Sequence, residues 1–189
     1  RSDNVNLASG YYTLDNDGTW QVHTFEDAIH PGQGILVKAT APTTLTIAKS
    51  NEEAFSESGD AKKGMDRLCI SVVGHDRAYV YFGQGVGLDK KNDFNIQTPS
   101  LWIRENGKDY AIAHADGTGE SLELCFGNKQ VGDFALTIEA SNTKFKCLQL
   151  IDHVTGATVD LLKQPAYSFH ATGQEPEARF GLMFKLVVK

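Results

Sequence analysis

The chain has 189 residues, enough for one large β-domain or two small ones with a genuine core. Its 41% hydrophobic and 22% charged residues argue against disorder, and 18 glycines suit a protein with many tight turns. A formal net charge of -6 offers no basic footprint for phosphate, so nucleic acid is not an expected partner. No apolar run approaches the about 20 residues that span a bilayer as a helix, so no membrane span is expected in this chain.

The first unit is Tyr11-Tyr12-Thr13-Leu14, then Asp15-Asn16-Asp17-Gly18, then Thr19-Trp20-Gln21-Val22, two β-prone runs around a polar, glycine-ended turn. It predicts a hairpin. With Leu14 set opposite Thr19, Tyr12 and Trp20 fall on opposite faces, one in the core and one exposed. Gly34 to Lys38 and Leu45-Thr46-Ile47 predict short strands separated by a break at Pro42. Lys49 to Lys63 is polar and acidic and predicts an exposed loop with a helical turn at Glu52 to Phe55. Leu68 to Val72 and Ala78 to Phe82 predict a further pair of strands, and the polar segment Asp89 to Pro99 predicts a domain boundary near Gln97.

Beyond that segment, Leu101 to Arg104 and Tyr110 to Ala113 flank Asn106-Gly107, the dipeptide that best accepts the positive φ values of a type I′ turn. A period of two then marks one face at Leu122/Leu124/Phe126, Phe134/Leu136/Ile138, Leu148/Leu150, Val159/Leu161, Tyr167/Phe169/Ala171 and Phe180/Leu182/Phe184/Leu186. Short strands at roughly 10-residue intervals, with Gly132, Gly156 and Pro165 near the breaks, predict an antiparallel sandwich. No long amphipathic helix is legible, which disfavours parallel sheets with helical crossovers. The expectation is an all-β chain of two antiparallel β-sandwich domains, residues 1–97 and 98–189, the second immunoglobulin-like.

The chemistry-bearing residues give little. Gly83-Gln84-Gly85-Val86-Gly87 lacks the Lys-Ser/Thr ending of a phosphate loop and predicts a flexible turn. Asp15-Asn16-Asp17-Gly18 fails the calcium-loop spacing, with Thr13 and Thr24 at the first and last ligand positions, so a plain turn is expected. The six histidines form no zinc spacing; His75-Asp76 and Asp152-His153 are strand neighbours that face apart, and His153 and His170 could meet only across strands. Cys69, Cys125 and Cys147 form no Cys-x-x-Cys pair and predict small half-buried thiols. No Gly-x-Ser-x-Gly elbow is present. No catalytic residue, metal ligand or cofactor is therefore expected, and the chain is not expected to be an enzyme.

Aromatic rings give the one positive binding signal, because exposed rings stack on sugar faces while amides and carboxylates bond hydroxyls. Tyr11, Tyr12, Trp20 and Trp102 could do this, and Tyr12, Trp20 and Trp102 are the ligand-binding candidates.

The second half resembles modules found near the C-termini of large secreted and surface proteins of Bacteroidetes-type bacteria. The resemblance lies in Ser100 to Arg104, Lys108 to Ile112, Gly132 to Thr137, Leu148 to Gly156, Val159 to Leu162, Tyr167 to Phe169 and Ala178 to Phe180, in that order. The first half is similar to the region preceding such modules through Tyr11 to Leu14, Ile29 to Lys38, Asp66-Arg67 and Ala78 to Val80. That family usually has an upstream segment rich in Trp, Asn and Pro; with Arg1-Ser2 at the start, residues 1–97 are expected to lack upstream strands. The resemblance implies a β-sandwich, an extracellular or cell-surface location, and a non-catalytic structural or adhesive role in adhesin-like proteins. The ligand it implies is an unassigned extracellular one, glycan or protein. A carbohydrate-binding module and an accessory domain of a secreted hydrolase or peptidase are the alternatives.

Overall fold

A computed structural model describes residues 5–47, 66–95 and 97–187. The chain is all-β, and no helix occurs among the described residues, so none is long and apolar enough to cross a membrane. The strands are β1 (Leu7–Leu14), β2 (Trp20–Thr24), β3 (Leu36–Ala39), β4 (Arg67–Val72), β5 (Arg77–Phe82), β6 (Leu88–Asp89) and β7 (Ser100–Glu105). They continue with β8 (Lys108–Ala115), β9 (Glu120–Gly127), β10 (Gly132–Ser141), β11 (Phe145–Asp152), β12 (Thr158–Asp160), β13 (Ala166–Ala171) and β14 (Phe180–Leu186). The expected loop and helical turn of Lys49 to Lys63 lie outside the described residues.

The first three strands form a small sheet in the order β2-β1-β3, and the rest form one long sheet in the order β12-β11-β14-β9-β7-β8-β5-β4-β10-β13, with β6 added beside β8. The long sheet wraps into a nearly barrel-shaped layer around one core, in which Leu68, Ile70 and Val80 pack with Leu101, Ile103, Leu124, Phe180 and Leu182. Each such side chain contributes about 1.5–3 kcal/mol by leaving water.

Hydrogen bonding crosses the boundary expected at Gln97. β4 pairs with β10, and β5 pairs with β8 in parallel, so strands from both halves share one sheet and one core. The parallel pair departs from the purely antiparallel layout expected. A covered sheet tolerates it because both faces of β5 are buried. Ala78 and Val80 face the main core, while Tyr79 and Tyr81 face a second cluster with Ala8, Tyr12, Val22, Leu88 and Ile112 beneath the small sheet. Pins at the margin hold the small sheet in place: the Tyr12 hydroxyl donates to the Asp89 carbonyl at 2.8 Å, and Lys38 Nζ lies 2.7 Å from Asp89 Oδ2.

Two expectations in the first third are corrected. Leu14 lies opposite Trp20, not Thr19, because Thr19 joins the loop, where Asp15 N donates to Thr19 O and Gly18 takes a φ of 85°. That one-residue slip places Tyr12 and Trp20 on the same face, edge to face at 6.0 Å. Leu45 to Ile47 is not a strand; the small sheet takes β3 instead, which pairs with β1. The Asn106-Gly107 hairpin forms as expected, with Glu105 opposite Lys108 and positive φ at both turn residues.

The two ends of the long sheet approach each other without pairing. Side chains bridge the seam: the Tyr167 hydroxyl of β13 donates to Asp152 Oδ2 at 3.0 Å, and Arg179 Nη1 donates to the His170 carbonyl at 3.0 Å.

Candidate functional site

The hairpin turn before β2 borders a polar depression. The turn is closed by Asp15 N to Thr19 O (2.9 Å) and Gly18 N to Asp15 O (3.1 Å), and Asp17 Oδ1 accepts from Thr19 N. Asp93 and Phe94 lie beside the start of β2, held by Trp20 N to Asp93 Oδ1 (2.8 Å) and Phe94 N to Gly18 O (2.9 Å). Burial is the main influence on the Asp93 carboxyl and raises its pKa despite the hydrogen bond from Trp20 N. Beside the turn lies a groove of about 320 Å³ that Asp15, Asp17, Gln21, Asn95, Gln97 and Gln130 help to line. A depression of about 370 Å³ between β7 and β9 has Arg104 as its cation, but that guanidinium is already held by Asp109 and Glu177.

The three sequence candidates are placed differently from one another. Tyr12 is 1% exposed, and Trp102 is 7% exposed on the face of β7 opposite Leu101 and Ile103, where its Nε1 has no partner. Neither can stack on an incoming ligand. Trp20 is half-buried, and its ring meets Phe94 at 6.2 Å. Phe94 is 73% exposed and adjoins Asn95 in the groove. It escaped sequence reasoning because it sits alone in the polar run taken as a linker; a single ring in such a run was the available signal.

Two hydroxyl–imidazole pairs also form. Ser9 Oγ lies 2.8 Å from His114 Nε2, and His114 Nδ1 lies 3.0 Å from the Gly83 carbonyl. A carbonyl only accepts, so Nδ1 carries a proton, and in the neutral ring the Ser9 hydroxyl donates to Nε2. This is the polarity of an activated serine, but Ser9 is 3% exposed and its N–H donates to the Val86 carbonyl. On β1 and β2, Thr13 Oγ1 lies 2.9 Å from His23 Nε2, and His23 Nδ1 lies 4.0 Å from Asp27 Oδ2. That last distance is an ion-pair separation rather than a hydrogen bond, and burial lowers the His23 pKa against the pull of Asp27. Asp27 Oδ2 is engaged by Thr24 N and Thr24 Oγ1.

The remaining titratable groups pin strands. Asp152 and Arg179 make a buried two-point pair, Nε to Oδ1 at 3.2 Å and Nη2 to Oδ2 at 3.0 Å, with the guanidinium 4.4 Å from the Phe169 ring centre. Asp76, 4% exposed, accepts from Lys90 Nζ, Ser100 Oγ and Leu101 N. His170 turns its ring to Asp133 and the His153 ring lies against Gly181, so they form no joint site. The thiols are free: Cys125 is fully buried rather than half-buried, its pKa pushed up to about 12 by burial, and Cys69 is raised for the same reason. No group of three metal-ligating side chains occurs among the described residues.

No protein-family model matches the chain, and no curated protein or solved structure does either.

Proposed function

We propose that the chain is a non-catalytic structural and adhesive module of a secreted or cell-surface protein. The long sheet that incorporates strands from both halves supports this reading most directly. A layer hydrogen-bonded along its whole length, with its seam bridged by hydrogen bonds between β13 and the buried Asp152–Arg179 pair, suits a stiff spacer that displays an attachment surface. In this reading the short antiparallel strands β7 to β14, joined by β4 and β5, make an immunoglobulin-like sandwich unit, and the small sheet belongs to a first sandwich unit docked on it.

The test uses beads coated with the purified chain, scored for adhesion to mucin and to extracellular-matrix protein, alongside turnover of a panel of ester, glycoside and peptide substrates. Adhesion without turnover is expected. Turnover abolished by Ser9→Ala or Thr13→Val would overturn the proposal.

A further inference from the structure

We infer that Lys90 and Asp76 condense, with loss of one water, to an isopeptide bond once the chain has folded; this goes beyond the adhesive reading and does not depend on it. Their ion pair is the state in which the sheet assembles, and the amide is its product.

Burial sets this pair apart. The Lys90 side chain is 7% exposed and that of Asp76 is 4% exposed. Lysine is almost never buried to this degree, and arginine, whose cation is more weakly hydrated, is the usual choice for a buried pair. The other lysine–carboxylate pairs among the described residues, Lys38–Asp89, Lys108–Asp89 and Lys163–Asp160, are each a third or more exposed. Arg179 and Asp152 are buried as deeply, but a guanidinium keeps its proton and is no nucleophile. A desolvated lysine amine is one.

The contacts around Asp76 are arranged for acyl transfer. Lys90 Nζ touches Asp76 Oδ2, which puts the carboxyl carbon one C–O bond, about 1.2 Å, beyond the contact atom. Two groups held at such a separation react as if at an effective concentration of about 10⁵–10⁸ M. Leu101 N–H donates to Oδ2 at 2.8 Å and the Ser100 hydroxyl donates to it at 3.2 Å, so two donors converge on the oxygen that gathers negative charge when nitrogen adds. Oδ1 accepts only from Arg77 N–H, at 2.8 Å, and Arg77 is exposed, so water can take over that N–H. The asymmetry marks Oδ2 as the amide oxygen and Oδ1 as the oxygen that leaves.

Asp93 completes the proton route. Trp20 N–H fixes its Oδ1, its carboxylate senses both the Lys90 and the Asp76 charge, and burial raises its pKa. One ammonium proton of Lys90 passes through the Asp93 carboxylate to Asp76 Oδ1, leaving a neutral amine beside a neutral acid. The nitrogen lone pair adds to Asp76 Cγ, and Oδ2 takes the charge. A second proton then passes from nitrogen to Oδ1, the Cγ–Oδ1 bond breaks, and water departs. Nothing is oxidised or reduced, Asp93 ends as it began, and two buried charges are replaced by one neutral amide. The bond closes residues 76–90 into a ring that holds β5 and β6 together where β5 meets β8 in parallel.

The experiment is electrospray mass spectrometry of the whole purified chain under denaturing conditions, which should give the sequence mass less one water. Trypsin should then release Leu68–Arg77 joined through side chains to Ala78–Lys91, because acylated Lys90 is not cut. Lys90→Met should keep its full mass. So should Asp93→Asn, which retains an oxygen for Trp20 N–H and should still melt cooperatively by circular dichroism. A wild-type chain at its full sequence mass would overturn the inference, as would a missing water mapped to ring closure at Asp116-Gly117. Formation of the bond to the wild-type extent in Asp93→Asn would overturn the proton route. The mass is read without any adhesion assay, so finding the branched peptide in a chain whose coated beads do not adhere removes the adhesive reading alone.

Discussion

Replacing Arg179 with methionine tests whether side chains hold the seam of the long sheet. The guanidinium is 1% exposed and makes three hydrogen bonds, two to Asp152 and one to the His170 carbonyl. Methionine fills much of the volume and keeps a contact with Phe169, but it leaves the Asp152 carboxylate, also 1% exposed, with only Tyr167 Oη–H and Val154 N–H as donors. Removing one partner of a buried pair costs about 3–5 kcal/mol, because the remaining charge stays out of water. For a domain of this size that corresponds to a fall in Tm of about 10 °C. Asp152→Asn should cost a similar amount, since its one amide oxygen can replace only one of the two carboxylate oxygens that Val154, Tyr167 and Arg179 use, and it leaves the buried guanidinium without its anion. Combining it with Arg179→Met should cost clearly less than the sum of the two, by about 1.5–3 kcal/mol. Urea unfolding of the four proteins, followed by near-ultraviolet circular dichroism, gives these values. Additive losses would refute the coupling of the Asp152–Arg179 pair, and a loss below about 1 kcal/mol for Arg179→Met would refute the account of the seam.

The same pair sets an acid limit: burial alone would raise the Asp152 pKa, but the bonds from Arg179, Val154 and Tyr167 outweigh it and hold the carboxyl below its ordinary value. A depressed carboxyl stabilises the fold above its unfolded pKa of about 3.9, and this contribution is lost as pH falls through the folded value. Wild-type unfolding midpoints should drop below about pH 4 more steeply than those of Asp152→Asn. His23, whose folded pKa burial lowers, stabilises the fold above about pH 6.5 and loses that contribution as pH falls toward its depressed value; an NMR titration should place its midpoint below 6.5. Lys90→Met should cost about 2–4 kcal/mol by leaving Asp76 buried without its cation, and Asp76→Ala should cost more, since Leu101 N–H also loses its acceptor; urea midpoints rank the two. Gly85→Ala would drive a methyl group into the His114 ring, so it should cost about 1–3 kcal/mol and displace the His114 imidazole resonances from their Ser9-bonded positions.

The sequence exposed local pairing well and distant pairing poorly. Asn106-Gly107 specifies its own hairpin because only residues tolerant of positive φ close that turn. Leu122/Leu124/Phe126 and Phe180/Leu182/Phe184 named their buried faces correctly because period-2 alternation is a property of each strand alone. Alternation does not encode a partner, so nothing in Ala78 to Phe82 announced the parallel pairing with β8 across the polar segment before Pro99. The run Ala78-Tyr79-Val80-Tyr81 carried a hint, since apolar or aromatic residues at every position indicate a strand covered on both faces. Beside the groove, Trp20 was legible as an aromatic residue on a hairpin, whereas its contact with Phe94, 74 residues on, and the bond from Gln130 to the Gln97 carbonyl, 33 residues back, are recorded by no local pattern.

The two buried ion pairs stand where apolar packing is least able to choose between alternatives. Asp76 lies in the turn between β4 and β5 and reaches Ser100 and Leu101 at the start of β7, locking the register of the sheet where β5 meets β8 in parallel. Asp152 ends β11 and engages Arg179 just before β14 and Tyr167 on β13, so it joins strands from both free ends of the sheet. Slipping a strand by two residues keeps an apolar face inward at little cost, so hydrophobic contacts alone discriminate weakly between such registers. A buried carboxylate does not tolerate the slip, because it would lose its cation and remain out of water. Its net stabilisation can be small while its penalty for misalignment is several kcal/mol, and that asymmetry suits junctions that no tight turn defines.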